Sequence, residues 1–181
     1  MPELKDREIL TYLNTNKEQA FSLLLNKYKE RLYWHCRRLL VSHEDADDAL
    51  QNTFIKIWSN LGNFRGDAEL YTWLFRIATN ESLTLLRKKN KFVLKHDSDN
   101  DTVFEETLVA DAYFDGNEIQ IKLQKAIKKL PEKQKVVFNL KYYEEMKYEE
   151  MAEVLETSVG ALKASYHHAV KKIEQALKTD E

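Results

Sequence analysis

Residues that interrupt helices are scarce along this chain. Its 181 residues include only four glycines and two prolines, and the stretches between them are rich in leucine, lysine, glutamate and alanine. Because those four residue types are strong helix formers, long segments are free to remain helical. With 43% hydrophobic and 32% charged residues, the composition is that of a globular protein. The sequence therefore predicts an all-α protein of one ordinary domain or two small ones.

The single cysteine, Cys36, lies in an apolar stretch and has no partner for an internal disulfide. We expect it to be buried as a small hydrophobic residue. No basic and then apolar leader precedes the first helix, and no apolar run could span a bilayer, so we expect a cytoplasmic protein without membrane insertion. The five histidines do not combine with cysteine or carboxylates at metal-ligand spacing, and we expect no metal and no other cofactor.

Charge is unevenly distributed. Residues 1–92 carry 15 basic and 12 acidic side chains, residues 93–117 carry one and seven, and residues 118–181 carry 12 and 11. The acidic middle shows no sustained apolar period and is expected to be a flexible linker between two small helical domains. Since non-specific DNA affinity comes mainly from neutralised phosphates, such weakly basic domains should bind DNA poorly without a larger partner.

The first domain is expected to contain three helices with recognisable ends. A residue from Asn14 to Asn16 can cap the first helix, and Ser42, followed by acidic residues, can cap the second. Gly62 is expected to close the second helix in the left-handed conformation. The expected helices span residues 17–40, 43–61 and 69–90.

The last domain is expected to contain a helix-turn-helix. Asn117 can cap its first helix, and Pro131 can occupy the first turn of the next one, where its missing N–H costs nothing. Two further helices are separated by a three-residue turn from Glu156 to Ser158, and Ser158 caps the second of them. The expected helices span residues 118–130, 131–143, 148–155 and 159–177.

The last helix has an apolar face and a polar face. Its apolar stripe comprises Val159, Leu162, Tyr166, Ala169 and Ile173. The opposite face carries Gly160, Ala164, His167, His168, Lys171 and Gln175, with Lys163 at its flank. Short residues allow close approach to a major groove, and polar tips can reach base edges and phosphates. On a lone helix such lysines would more often be a solvated face, but the preceding helix and tight turn favour DNA reading.

Phe64 stands in the loop between Gly62 and Gly66, with basic residues around and downstream of it. Aromatic rings beside cations suit unpaired bases, since stacking contributes about 1–3 kcal/mol per base. Trp73 falls on an apolar stripe and is expected in the core, whereas for Phe64 packing and base stacking are both open. Together with Phe64 and Trp73, the rings of Tyr71 and Phe75 form an aromatic set in and just after this loop, and this set is the candidate for base stacking.

Six segments together resemble one protein family. The stretch from Asp45 to Trp58 reads DADDALQNTFIKIW, and it is followed by FRGD at 64–67 and YTWLFRIATN at 71–80. The C-terminal block adds LPEKQ at 130–134, YEEMA at 148–152 and SVGALK at 158–163. In this order and spacing they are similar to the motifs of the extracytoplasmic-function subfamily of bacterial RNA polymerase sigma factors. The resemblance covers both ends of the chain and leaves only the linker unaligned.

The resemblance implies a promoter-recognition subunit with no catalysis of its own. Its partners would be core RNA polymerase, promoter DNA and an anti-sigma factor, with no small-molecule substrate. Residues 1–92 would form the region-2 domain, 93–117 the linker and 118–181 the region-4 domain. The residues implied to dock on the clamp helices of the largest polymerase subunit are Asp48, Leu50, Gln51, Phe54 and Trp58.

The resemblance also implies two DNA sites. The loop of Phe64 would receive a base flipped from the minus-ten element, and Asn80 with its neighbours would contact the non-template strand. The residues implied at this site are Phe64, Arg65, Arg76 and Asn80. The last helix would read the minus-thirty-five element as duplex, through Lys163, Ala164, His167, His168 and Lys171.

The chain departs from the family pattern at the turn and on the last helix. Glu156 stands where the family usually has glycine, so the turn is expected to bear a steric cost if its φ is positive. Ser165, His167 and His168 stand where arginines or aromatics are common. The base sequence read by this helix therefore cannot be transferred from relatives.

Two other function classes explain less of the sequence. A conventional helix-turn-helix regulator would explain the C-terminal block only and would call for a symmetric dimer, for which no heptad is visible. An enzyme would need converging catalytic groups, whereas adjacent acids such as Glu149 and Glu150 diverge by about 100° on a helix. The sigma-factor interpretation explains both ends of the chain.

Overall fold

The computed structural model describes residues 5–93 and 117–179. Every regular element in those two ranges is a helix, so the all-α prediction is confirmed. The chain divides into an N-terminal and a C-terminal unit. Residues 94–116, which make up most of the expected linker, lie outside the described residues. The domain boundaries drawn at residues 92 and 118 stay predictions.

Capping side chains begin the helices of the N-terminal unit where the sequence predicts. Asn16 accepts a hydrogen bond from the backbone N–H of Gln19 at 3.0 Å, and Ser42 accepts one from Asp45 at 3.4 Å. The first helix has no counterpart among the expected ones. The elements are α1 Asp6–Leu13, α2 Lys17–Leu40, α3 His43–Asn60, a 3₁₀ turn Leu61–Asn63 and α4 Leu70–Val93.

Contacts with α2 explain why α1 forms. Ile9 is buried, and the Asp6 carboxylate accepts hydrogen bonds from the Tyr28 hydroxyl at 2.8 Å and the Lys27 ammonium at 2.9 Å. Burial and the bond to Asp6 raise the pKa of Tyr28, so its hydroxyl keeps its proton and donates. An eight-residue helix is marginal in water by itself. These contacts join residues more than 20 positions apart, which a local pattern does not reveal.

A neutral histidine ties α2 to α4 inside the N-terminal core. The Nε2 atom of His35 lies 2.8 Å from the Thr79 hydroxyl, and its ring packs 5.1 Å from that of Phe75. Burial lowers the pKa of His35 to about 3, so its ring is neutral. Cys36 is buried as predicted, and burial raises its thiol pKa to about 11. The surrounding buried residues include Leu24, Leu32, Leu39, Ala46, Ile57, Leu70 and Leu74.

The C-terminal unit contains the expected helix-turn-helix. Asn117 caps its first helix by accepting a hydrogen bond from the Gln120 N–H at 3.0 Å. Ser158 caps the last one through the Ala161 N–H at 3.3 Å. Pro131 lies at the cap position just before its helix rather than in the first turn. The elements are α5 Glu118–Lys128, α6 Glu132–Tyr142, α7 Tyr148–Leu155 and α8 Val159–Thr179.

The core of this unit forms where α5 and α6 pack against α8. Its aromatic part is a stack in which Phe138 lies 5.1 Å from Tyr142 and 5.9 Å from Tyr166, measured between ring centroids. The expected stripe of α8 is largely confirmed, with Val159 and Tyr166 partly exposed. The buried members of the core are Ala126, Ile127, Leu130, Phe138, Ala169 and Ile173.

The turn after α3 differs from the prediction. Gly62 lies in the 3₁₀ turn and does not have a positive φ, so it is not a left-handed cap. The left-handed glycine of this loop is Gly66, with φ of 77°. The 3₁₀ turn tightens the end of α3, and the chain adopts the left-handed conformation four residues later, at Gly66.

Within residues 5–93 and 117–179, no helix is both long and apolar enough to cross a membrane. The same described ranges contain no group of three or more histidine, cysteine, aspartate or glutamate side chains that could hold a metal ion.

Glu156 occupies the left-handed region at the turn between α7 and α8, with φ of 51° and ψ of 46°. An L-residue pays about 1–2 kcal/mol there, whereas glycine avoids that cost but loses more chain entropy on folding. We therefore expect Glu156→Gly to raise the free energy of unfolding by about 1 kcal/mol in urea titrations. Glu156→Ala is the matched control, because it removes the side chain without relieving the backbone. Equal stability of the two variants would contradict the assignment of strain to this turn.

Candidate functional site

Helix α3 buries one face and exposes the other. Ala46, Ala49 and Ile57 are buried on the inner face. Asp48 and Gln51 are exposed on the outer face, which is about 180° away on a helix of 3.6 residues per turn. Leu50 and Phe54 are half-buried at the border between the two faces.

Two large apolar side chains complete this outer face of α3. Ile55 is 63% exposed and Trp58 is 38% exposed. The Trp58 ring packs edge-on against Phe21 at 5.2 Å, and the Lys17 ammonium lies 4.3 Å from its centroid. Ile55 is not among the expected docking residues, although it lies outside the apolar stripe of α3. A large apolar residue on a polar face was the signal that could have identified it.

The loop after α3 places Phe64 against the start of α4. Its ring lies 5.2 Å from that of Trp73 at an angle of 56°, and both residues are half-buried. Arg65 is exposed beside it, and Gly66 reverses the chain. Phe64 therefore packs on one side while part of its surface stays accessible. Trp73 was expected in the core and instead lies at its edge.

Helix α4 exposes Arg76 and Asn80 on one face, four residues apart and one turn beyond Trp73. The residues that precede each of them in the chain, Phe75 and Thr79, are buried in the core. Phe75 was grouped with the candidate base-stacking rings, and the structure contradicts this because the ring has no exposed surface.

Tyr71 also lies away from the outer face of α4. Its ring packs 4.9 Å from that of Phe75, and the Arg31 guanidinium lies 5.1 Å from its centroid. Of the aromatic set, Trp73 therefore shares the side of α4 that carries Arg76 and Asn80, and Phe64 packs against Trp73.

Helix α8 exposes the whole set of residues expected on its polar face. Leu162, Ala169 and Ile173 are buried on its other side. The His167 and His168 rings lie 6.0 Å apart, tilted by 57°, and so project separately. The five candidate residues, all exposed, are Lys163, Ala164, His167, His168 and Lys171.

Small residues leave room for approach to the start of this face. Gly160 is exposed, and a side chain added to it would meet nothing within 4 Å. Ala164, one turn further on, projects only a methyl group. The face is therefore low at its N-terminal end, with longer polar side chains beside and beyond it, a shape that can enter a major groove.

Comparisons with known proteins match both units. Residues 24–92 match the family model described as sigma-70 region 2, and residues 120–173 match the model described as sigma-70, region 4. The first range includes α3, the Phe64 loop and the outer face of α4. The second includes the helix-turn-helix.

Curated relatives align over nearly the whole chain. The RNA polymerase sigma-H factor of Pseudomonas aeruginosa is 29% identical, over 96% of this chain and 94% of the relative. The ECF RNA polymerase sigma factor SigW of Bacillus subtilis is 28% identical, over 97% and 98%. The ECF RNA polymerase sigma-E factor of Haemophilus influenzae is 28% identical, over 97% and 96%.

Solved structures share the fold. CnrH in complex with the cytosolic domain of CnrY superposes with a TM-score of 0.73 at 23% identity, covering 97% of this chain and 99% of that one. The sigma factor RpoE in complex with the anti-sigma factor NepR, from Bartonella quintana, gives 0.69 at 22% identity, covering 89% and 98%. The region 2 and region 4 models match one after the other along the chain, and the curated relatives that align over nearly the whole chain are sigma factors. The chain belongs to the extracytoplasmic-function subfamily of sigma factors, which are proteins of promoter-specific transcription initiation.

Proposed function

We propose that this sigma factor binds core RNA polymerase through the outer face of α3, captures the minus-ten element with the Phe64 loop and α4, and reads the minus-thirty-five element as duplex with α8. The observation that carries the proposal is that α3, α4 and α8 each expose polar candidate residues on the side opposite a buried stripe, with the Phe64 loop packed against the start of α4. The chain contributes recognition and melting, and the polymerase contributes the chemistry.

The α3 face has the composition of a protein interface rather than of a DNA contact. It combines acidic and amide groups with the exposed Ile55 and Trp58. Acidic side chains repel phosphates, whereas a centre of large apolar side chains with a polar rim is typical of protein partners. Core polymerase is the partner proposed for this face.

The Phe64 loop and α4 suit single-stranded DNA. The ring of Phe64 offers a stacking surface, and Arg65 and Arg76 are exposed near it to follow a phosphate backbone. Asn80 carries an amide that can donate to and accept from a base edge. The proposed ligand is the melted non-template strand of the minus-ten element.

The face of α8 suits double-stranded DNA. An imidazole in its neutral form donates from one nitrogen and accepts at the other, so His167 and His168 can each read a base edge. Lys163 can reach a base edge or a phosphate, and Lys171, two turns further on, is proposed to contact phosphate only.

The remaining partners follow from the family and its neighbours. Both structural neighbours were solved with a protein partner, named as an anti-sigma factor in one of them. An anti-sigma factor is accordingly proposed for this chain as well. Since core polymerase acts in the cytoplasm, that is the proposed location, and no catalytic activity of the chain itself is proposed.

The docking surface can be tested by removing its polar groups. Asp48→Ala with Gln51→Ala should weaken binding to core polymerase by about 1–2 kcal/mol, because two polar groups of the contact are lost. The measurement is titration of core polymerase with labelled protein, with circular dichroism to confirm folding. Asn26→Ala with Glu30→Ala, an exposed amide and acid on α2, is the matched control. Unchanged affinity of the Asp48/Gln51 variant would count heavily against docking through α3.

The role of Phe64 can be separated into packing and stacking. Phe64→Ala should spare holoenzyme assembly and impair open-complex formation by about 1–3 kcal/mol, the contribution of one base stack. Phe64→Leu retains apolar contact with Trp73 but has no ring, so it should show a similar melting defect. The readout is permanganate reactivity of the promoter bubble. Normal reactivity with the leucine variant would show that Phe64 only packs.

Promoter preference should divide between two sites that can be altered separately. We expect His167→Ala and His168→Ala to change preference in the upstream element and Asn80→Ala in the downstream one, each costing about 1–3 kcal/mol at one position. Lys171→Ala should weaken all promoters alike and reduce the salt slope by about one. Transcription from a randomised promoter library measures both effects. If either histidine variant shifts the preference in the downstream element, or weakens transcription from all sequences equally, the two-site assignment is refuted.

A further inference from the structure

Two lysines lie against one tyrosine ring in the C-terminal unit. Tyr148, the first residue of α7, has the Lys141 ammonium 4.9 Å from its ring centroid and the Lys163 ammonium at 5.6 Å. Both distances are within the range of about 6 Å at which a ring attracts a cation. Lys141 comes from α6 and Lys163 from α8, so the ring connects all three helices.

The tyrosine ring is itself held in place. Lys141 donates a hydrogen bond from its ammonium to the backbone carbonyl of Met146 at 3.1 Å, two residues before the ring. Met146 is buried, and Tyr148 is half-buried. Lys163 is exposed on the DNA-facing side of α8. The arrangement therefore has a fixed side, formed by Lys141 and the chain near Met146, and a free side occupied by Lys163.

We propose that Tyr148 is a positioning residue that makes Lys163 a specificity determinant of the upstream element. The inference rests on the proposed duplex reading by α8. A lysine on its flexible four-carbon stem acts as a point charge and can satisfy any nearby phosphate. A lysine held against a ring reaches fewer places, so its ammonium can favour one base edge with acceptors, such as the O6 and N7 of a guanine. By holding Lys163, Tyr148 makes its contact with DNA selective for one base at one promoter position.

The contact itself can be measured without DNA. A ring current shifts the ε-methylene protons of a lysine placed over it upfield, so the Lys163 signals in the full chain should lie upfield of those of free lysine. Tyr148→Phe should retain the shift, because the ring is present, and Tyr148→Leu should abolish it. Lys163 signals that do not differ between the wild type and Tyr148→Leu would overturn the proposal.

The consequence for promoter choice is tested with holoenzyme on a library randomised in the upstream element. Lys163→Ala should abolish preference at one position, and Tyr148→Leu should reduce that preference roughly two- to fivefold, as expected for an exposed cation–ring contact. Tyr148→Phe should behave as wild type. In the Lys163→Ala background, Tyr148→Leu should cause no further loss at that position.

The double variant separates positioning from mere structure. A packing defect from Tyr148→Leu would weaken all sequences and would persist without Lys163, and that result would overturn the proposal. If Lys163→Ala leaves every preference unchanged, the duplex-reading assignment of Lys163 fails and the inference fails with it. If Lys163→Ala changes preference and Tyr148→Leu does not, the proposed function stands and only the positioning role is refuted.

Discussion

Helices α3, α4 and α8 each bury one side, and that packing decides which of their side chains remain for partners. Successive residues turn by about 100°, so a buried stripe determines the direction of every other residue on the same helix. In α3, burial of Ala49 and Ile57 leaves Asp48 and Ile55 outward. In α8, burial of Leu162, Ala169 and Ile173 leaves the histidines and lysines outward. The candidate interfaces are therefore fixed by the same stripes that hold each unit together.

The rotation of α4 depends on a buried polar contact as well as on apolar packing. Thr79 is held in the core by its hydrogen bond with His35, and Asn80 follows it directly in the chain. Because the two residues diverge by about 100°, the bond that keeps Thr79 inward directs Asn80 outward. A buried hydrogen bond that must stay paired is a stricter constraint on rotation than apolar contact, which tolerates sliding. The orientation of the proposed strand-reading face thus follows from a neutral histidine on another helix.

The sequence predicted the helices that carry their own signals and failed where tertiary contacts decide. Capping residues such as Asn16 and Ser158 identified helix starts, since a cap acts within three residues of itself. Helix α1 was missed because it depends on Asp6 meeting Tyr28 across the fold. The end of α3 was misassigned to Gly62, since glycine permits a left-handed turn without requiring one. Phe75 belongs to the aromatic set that the sequence offers for base stacking, yet its ring is buried, because a cluster of aromatics hides the 100° step between neighbours on a helix.

Charge limits how much of the DNA affinity either unit can supply. Residues 1–92 carry three more basic than acidic side chains and residues 118–181 only one more, so few phosphates can be neutralised. Each phosphate contact adds about one to the salt slope without adding specificity, whereas a good base-edge contact discriminates by about 1–3 kcal/mol. If Asn80, His167 and His168 contact base edges as proposed, the chain has few phosphate contacts beside several base-edge contacts, and it binds DNA weakly but selectively. We therefore expect the polymerase to supply much of the affinity for promoters, which limits promoter binding by the free chain.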